Sequence, residues 1–257
     1  MYQYFIWNGV KSLDMGVVML KAPSIFIPQR KINEIKISGR NGVLHEDEKT
    51  YQNYTKDAEC HVMDRGQIDE VCGWLTGFGE VIFSSEPDKV YRAYIKNQIE
   101  FGSILKNINE FLVQFDVEPF KYSVNAAGDA LELTAPTTIR NSGTVYSEPL
   151  ITVYGSGDIT LTINGADFPL YGVQESITID SEMMEVFKGN TNQNSKYGGA
   201  EFPRFEVGQN EIRWTGNVSR IKIQPRWRWL ELSKNEIYGM LYARFLAWRF
   251  SHSLKRG

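Results

Sequence analysis

The chain has 257 residues, 42% of them apolar and 23% charged, which is typical of a folded protein large enough for two cores. Its net charge of −3 gives no general electrostatic reason to expect DNA, RNA or an acidic membrane as a partner. We see neither a signal peptide nor an apolar run of roughly 18 residues that could cross a bilayer. The aromatic fraction of 13% favours strands over helical bundles.

Residues 1–130 are predicted to form a strand-rich first domain that carries a long hairpin arm. Ile35 and Ile37 alternate with polar residues and lead into Ser-Gly-Arg-Asn-Gly at 38–42. Glycine and asparagine tolerate the positive φ of tight hairpin turns. We therefore expect an arm from Ile25 to about Met63, with a charged tip at residues 45–49.

One helix is predicted in this domain. Asp64 suits the N-cap, Gln67 follows it as in a capping box, and Gly77 is placed to end the helix. The apolar stripe between them, at i, i+3, i+4 and i+7, consists of Ile68, Val71, Cys72 and Leu75.

Strands are predicted after the helix at 80–83, 91–95 and 110–118. Pro119 is expected to close the first domain, and the small, polar residues of 125–142 are expected to contain the domain boundary. Residues 131–230 show short alternating runs separated by turns at 155–158, 164–165, 189–195 and 205–210. That spacing indicates a small β-sandwich.

The C-terminal segment 231–257 is predicted to be a basic helical extension. Ser233 and Glu236 form a capping-box pair, and an apolar face follows. Its residues are Ile237, Leu241, Phe245 and Trp248. Three interpretations stay open: docking on a neighbouring subunit, a poorly ordered extension, or contact with a membrane.

No catalytic, cofactor-binding or metal-binding residue is predicted, and the binding residues are unknown. The three histidines, His45, His61 and His252, are far apart in the sequence, and neighbouring residues on a strand, such as Cys60 and His61, point to opposite faces. Cys60 and Cys72 are interpreted as a pair of buried thiols. The carboxylates Asp180 and Glu182 are assigned to a strand end, and the tryptophans Trp214, Trp227 and Trp229 to packing in preference to sugar stacking.

The order of motifs resembles that of the distal tail proteins (Dit) of long-tailed bacteriophages. In the first domain the resemblance lies in residues 37–42, 73–77, 81–91 and 115–120. In the second domain it lies in 141–144, 149–157, 179–180, 202–203, 208–210 and the closing Pro-Arg-Trp-Arg at 225–228. No single motif is specific, but their order over two domains is.

The resemblance implies a mainly β protein: an N-terminal β-sandwich or split-barrel belt domain with one helix and a hairpin arm, followed by a C-terminal galectin-like β-sandwich. It also implies a homo-hexamer, as a single ring or a stacked double ring, in the virion tail tip after assembly in the host cytoplasm. The implied partners are the tail tube protein, the tail-associated tip protein and receptor-binding or baseplate proteins, with DNA only as passing cargo and no membrane. The alternative function is a carbohydrate-binding module of the adhesion device.

Overall fold

The computed structural model describes residues 2–97, 99, 102–105, 108–125 and 129–230. In these residues the chain is mainly β with a single α-helix, as predicted. None of the described helices is both long and apolar enough to span a membrane. The predicted C-terminal helix, with its Ser233 cap, and His252 lie outside the described residues.

The first sheet is built mainly by residues 5–123. Its strands are β1 (Phe5–Trp7), β2 (Val10–Lys11), β3 (Val17–Lys21), β6 (Tyr54–Val62), β7 (Phe78–Phe83), β8 (Lys89–Ile95), β9 (Gly102–Leu105) and β10 (Ile108–Ser123). The late strand β18 (Arg228–Trp229) also belongs to this sheet. The arm between β3 and β6 consists of β4 (Arg30–Ile35) and β5 (Leu44–Tyr51), which pair only with each other.

This sheet curls on itself. Its strand order is β2-β1-β7-β8-β10-β6-β3, and both β9 and β18 pair with β10. An antiparallel bridge between Gln3 and Met19 links the chain before β1 to β3, so the two ends of the path meet. The curl encloses an aromatic core in which Phe115 contacts the rings of Phe5, Trp7 and Phe83.

The helix α1 spans Ile68–Trp74 and is preceded by a 3-10 turn at Arg65–Gln67. Asp64 caps this turn, because its Oδ1 accepts a hydrogen bond of 2.9 Å from the amide of Gly66. Val71 is buried, whereas Cys72 is exposed on the outer side of the helix. The prediction of two buried thiols is therefore wrong for Cys72. It holds for Cys60, whose thiol pKa burial raises to about 12.

The arm is a separate two-stranded sheet of β4 and β5. Ile35 pairs with Leu44 and Glu34 with His45, so the tip is formed by the glycine-rich residues between them. The predicted charged tip at 45–49 is wrong, because these residues belong to β5. The predicted end of the domain at Pro119 is also wrong: β10 continues to Ser123, and a register shift between Val117 and Lys121 places the proline where the ladder is interrupted.

The second sheet is built by residues 131–224. Its strands are β11 (Leu131–Leu133), β12 (Thr137–Asn141), β13 (Leu150–Ile163), β14 (Ala166–Asp180), β15 (Glu185–Lys188), β16 (Thr191–Asn192) and β17 (Gly208–Gln224), with a 3-10 turn at Asn194–Lys196. Their order is β11-β17-β13-β14-β15-β16, with β12 also on β17. The buried apolar residues of these strands form a second core around Phe205.

Long strands replace several of the predicted short ones. The predicted turn at 155–158 lies within β13, where the register shifts and the strand bends. The last residues of the predicted turn at 205–210 belong to β17, which begins at Gly208. Gly155 permits the bend because a Cβ there would lie 2.2 Å from the carbonyl oxygen of Asn217. The turn at Asn164 and Gly165 is confirmed, with φ of 52° and 85°.

Candidate assembly interface

The arm exposes apolar side chains that its own chain does not cover. Both β4 and β5 are solvent-exposed along nearly their whole length. The exposed apolar residues of the arm and its approach are Ile25, Phe26, Ile27, Ile32, Ile35, Ile37 and Leu44. A single two-stranded hairpin is at most marginally stable in water, and a concentrated apolar surface marks a contact site.

The base of the arm is fixed to the first core by a buried lysine. Lys56, which is 2% exposed, donates a hydrogen bond of 3.2 Å from Nζ to the carbonyl oxygen of Ser24, just before the arm. Its ammonium lies 4.9 Å from the ring centroid of Tyr91, whose hydroxyl donates to Glu86 at 2.5 Å. Burial raises the pKa of Glu86, but hydrogen bonds from Lys121 and Tyr91 outweigh it, and the net pKa is lowered. The arm therefore starts from a fully partnered buried charge network.

An aromatic contact continues this anchor on the other strand of the arm. Tyr51, at the end of β5, meets Phe120 of β10 edge to face with centroids 5.9 Å apart. The amide of Gln52 donates a 2.8 Å hydrogen bond to the carbonyl of Gln29, which closes the arm at its base. Only the outer part of the arm lacks such support.

The second sheet is tied to the first by the strand β18. After β17 the chain returns to the first sheet, where Trp229 pairs with Lys121 and Arg228 with Tyr122. Thr144 closes the junction: its hydroxyl donates to the carbonyl of Leu230 at 3.1 Å and accepts from the amide of Leu230 at 2.8 Å.

A charge cluster lies across the junction and joins four side chains from both sheets. Arg92 of β8 donates to the carboxylate of Glu182, and Arg226 contacts the same carboxylate at 3.2 Å. Arg226 also forms a bidentate pair with Asp180, with distances of 2.6 and 2.9 Å. We call Arg92, Glu182, Asp180 and Arg226 the junction cluster. Paired and partly buried charges of this kind favour one relative arrangement of the groups that carry them.

The pKa shifts at the junction follow from burial and pairing. Burial acts to raise the pKa of Asp180, but hydrogen bonds from Arg226 and from the amides of Met183 and Glu182 lower it overall. Burial likewise raises the pKa of Glu118, and there the attraction of Arg92 at 3.9 Å does not compensate. The pKa values of Asp180 and Glu118, two carboxyl groups near the same junction, are therefore shifted in opposite directions.

Arg228 provides a second link. Its guanidinium carbon lies 4.3 Å from the ring centroid of Phe120 in the first sheet and 4.5 Å from that of Tyr146. The same side chain donates to the carbonyl of Tyr146 at 2.7 Å and to Glu148 at 2.9 Å. The Pro-Arg-Trp-Arg motif therefore supplies one arginine to each link across the junction.

Residues considered for chemistry do not come together in the described structure. No group of three or more potential metal ligands is present among the described residues. Trp227 is buried against Phe205, Trp214 packs on the second core, and the ring of Trp229 is covered by the ammonium of Lys89 at 4.2 Å. Asp180 and Glu182 are engaged by arginines. All of these side chains are used in packing or pairing.

Comparison with known proteins identifies the first sheet. Residues 7–117 match the family model of the phage tail protein RIFT-related domain. This part of the chain is therefore similar to phage tail domains, and we call residues 7–117 the tail domain. The tail domain and the second sheet together match the crystal structure of the SPP1 Dit protein, described as a paradigm of the hub adsorption apparatus in phages infecting Gram-positive hosts. That match has a TM-score of 0.66 and 13% identity, and it covers 87% of this chain and 98% of the other.

The comparison confirms the resemblance to the distal tail proteins that the sequence predicted. No curated protein matches the sequence. Sequence reasoning found the arm, but it missed Lys56 and the junction cluster. Arg226 and Arg228 were noted as part of a motif, whereas the ion pairs join residues up to 90 positions apart, and no local pattern signals them.

Proposed function

We propose that this chain is a distal tail protein, a structural component that forms a hexameric ring, single or stacked, at the tail tip. In this proposal the ring joins the tail tube protein to the tail-associated tip protein and to receptor-binding or baseplate proteins. DNA passes through its channel, and the chain has no enzymatic role. The tail domain and the overall likeness to a Dit structure support the proposal.

The observation that carries the ring is the exposed apolar arm on a firmly anchored base. An exposed apolar surface of this kind is stabilised by contact with another chain. In a closed ring of head-to-tail contacts every copy contacts the next one, so every arm is buried. In this proposal residues 1–130 form the belt, the part of each chain that builds the ring. Residues 131–230 form a galectin-like sandwich that binds the other baseplate proteins.

The experiment is the molar mass in solution, measured by light scattering during size exclusion. We expect six or twelve chains for the wild type, and smaller species for the double variant Ile32→Asp with Ile35→Asp. The control is Met183→Asp with Met184→Asp, an apolar pair after β14 that is more exposed, at 68% and 69%, than Ile32 and Ile35 at 51% and 46%. A wild type that stays monomeric at every concentration and on tail-tube templates would contradict the ring.

A further inference from the structure

We propose that the arm of one copy lies on a specific receiving surface of the next, formed by the aromatic pair Phe78 and Tyr94 together with the carboxylates of Glu80 and Asp116. This inference rests on the proposed ring and adds the part of the partner chain that the arm contacts. Phe78 is 63% exposed and Tyr94 53%, unusually high values for aromatic residues of a sheet. They are direct partners across the β7–β8 pair, so their rings share one face.

The first argument is the position of this pair relative to the arm. Phe78, Tyr94, Asp116 and Thr55 follow one another across β7, β8, β10 and β6 in a single row. The arm leaves the sheet at the Thr55 end of this row, because β6 begins with Tyr54. Arm and receiving surface are thus at the same level on opposite sides, about 14 Å apart along the sheet. A head-to-tail ring requires this arrangement, since donor and acceptor must have equal height along the axis.

The second argument is that the sheet is open at the receiving surface. β1 pairs with β7 from Val81 to Phe83, and Asn8 then exchanges two hydrogen bonds of 2.9 Å with the backbone of Glu80. The chain turns away at Asn8 and Gly9, so the edge of β7 is open beyond Glu80, at Phe78. In the part of the chain that the structure describes, no strand pairs with Phe78 on that side. An arriving arm can therefore cover both rings without displacing an element of the sheet.

The third argument is charge complementarity. The tip of the arm carries two cations, Lys36 and Arg40, and has no carboxylate between Ile35 and Leu44. Nearer the base, Arg30 is paired with Asp47 of β5, and the carboxylates of β5 offset the remaining cations. The aromatic pair is flanked by Asp116, the partner of Tyr94, and by the exposed side chain of Glu80, two positions along β7. Two cations are also close: Arg92, the cross-strand partner of Glu80, is paired with Glu182, and Lys96 is exposed just after β8. Opposite charges at the rim of an apolar contact favour one partner and one register.

Other exposed apolar residues of the tail domain fit less well. Leu20, which is 50% exposed, lies on β3, the strand that leads into the arm itself. A receiver on that side would place donor and acceptor next to each other, and a head-to-tail ring could not close. Phe78 and Tyr94 are the exposed pair on the opposite side of the sheet from the arm.

The test is cysteine cross-linking between copies in a Cys72→Ser background, which removes the exposed thiol and keeps buried Cys60. One protein carries Ile37→Cys and the other Tyr94→Cys, and the two are mixed, reassembled and oxidised. We expect a cross-linked dimer in the mixture and none in either protein alone. The double variant should give a ladder of oligomers. Ile37→Cys mixed with Tyr171→Cys, an exposed control on the second sheet, should give no dimer.

Charge exchange provides an independent readout. Lys36→Glu with Arg40→Glu should reduce the oligomer to small species, and adding Glu80→Lys with Asp116→Lys should restore it. A wild-type oligomer with no Ile37–Tyr94 cross-link and no rescue would overturn this receiving surface and leave the ring intact. A cross-link only within single copies would also overturn it. A monomeric wild type under all conditions would instead overturn the ring itself.

Discussion

Arg92 and Glu182 form a hydrogen-bonded ion pair that joins the first sheet to the turn after β14, 90 positions later in the sequence. Both side chains are less than a third exposed, at 30% and 24%, so solvent screens the pair only in part. Arg92 also stacks on Tyr122 at 4.4 Å. The pair therefore links two sheets that have separate cores.

We expect Arg92→Met to cost about 1–3 kcal/mol of unfolding free energy, because Glu182 keeps only Arg226 as a partner. The double variant Arg92→Met with Glu182→Gln should cost less than the sum of the two single changes. Denaturant unfolding of the four proteins measures this coupling. The control pair Arg213 and Glu211 is more than half exposed on average, and its coupling energy in the same type of cycle should be less than about 0.5 kcal/mol. Strict additivity at Arg92 and Glu182 would contradict the link.

Glu118→Gln should stabilise the protein at neutral pH. The pKa of Glu118 is raised because burial disfavours its charged form more than Arg92 favours it. A raised carboxyl pKa means that its contribution to stability is present at low pH and is lost as pH rises through the folded-state value. Neutralising the side chain should therefore raise the melting temperature at pH 7 and have little effect at pH 3. Glu182→Gln is the matched control and should lower the melting temperature at pH 7.

Asp180 should have the opposite pH dependence. Its pKa lies below the ordinary 3.8, so its contribution is full above that value and is lost as pH falls through the lowered folded-state pKa. Asp180→Asn should destabilise the protein at pH 7, with the difference from wild type shrinking below about pH 4. Asp14→Asn, at an exposed position, serves as the control. Thermal unfolding between pH 2 and pH 7 measures both, and a pH-independent difference would contradict the assignment.

Gly143→Ala should disrupt the junction. A Cβ at this position would lie 2.2 Å from the carbonyl oxygen of Arg228, which is backbone and cannot rotate away. We expect a loss of about 2–3 kcal/mol, in the range of a forced backbone shift. Gly73→Ala, in α1 with no atom within 4 Å of the new Cβ, should instead be neutral or stabilising by up to about 1 kcal/mol. Equal effects of the two changes would show that the close approach to Arg228 is unimportant.

Local patterns predicted the local parts of this structure. The helix around Val71 and the turn at Asn164 depend on residues close in sequence, and both were found where the pattern placed them, although Cys72 of the predicted stripe is exposed. The continuous strand β13 was divided in the prediction because its glycines resemble a turn, and the first residues of β17, from Gly208, were assigned to a turn for the same reason. Whether such a glycine turns or bends a strand depends on the opposite chain, here Asn217 against Gly155.

The candidate interface was predicted only in part, for the same reason. An apolar hairpin with glycines at its tip can be read from residues 25–42 alone. The anchor of that hairpin cannot, because Lys56 looks like any charged residue of an alternating strand until its burial is known. The pairing of Arg92 with Glu182 likewise depends on how two sheets meet.

The return of β18 to the first sheet bears on how the chain folds during synthesis. On one side, Lys121 and Tyr122 pair with β8. On the other side they pair with Trp229 and Arg228, close to the end of the described chain. A ribosome that has released residues 1–130 has therefore delivered the tail domain without its last strand, and Phe120 without Arg228. The early core can collapse around Phe115, but its sheet is complete only after β18, at Arg228–Trp229, has been synthesised. The apolar arm is thus exposed before the tail domain is complete, and folding on the ribosome would keep the arms of separate chains apart during that interval.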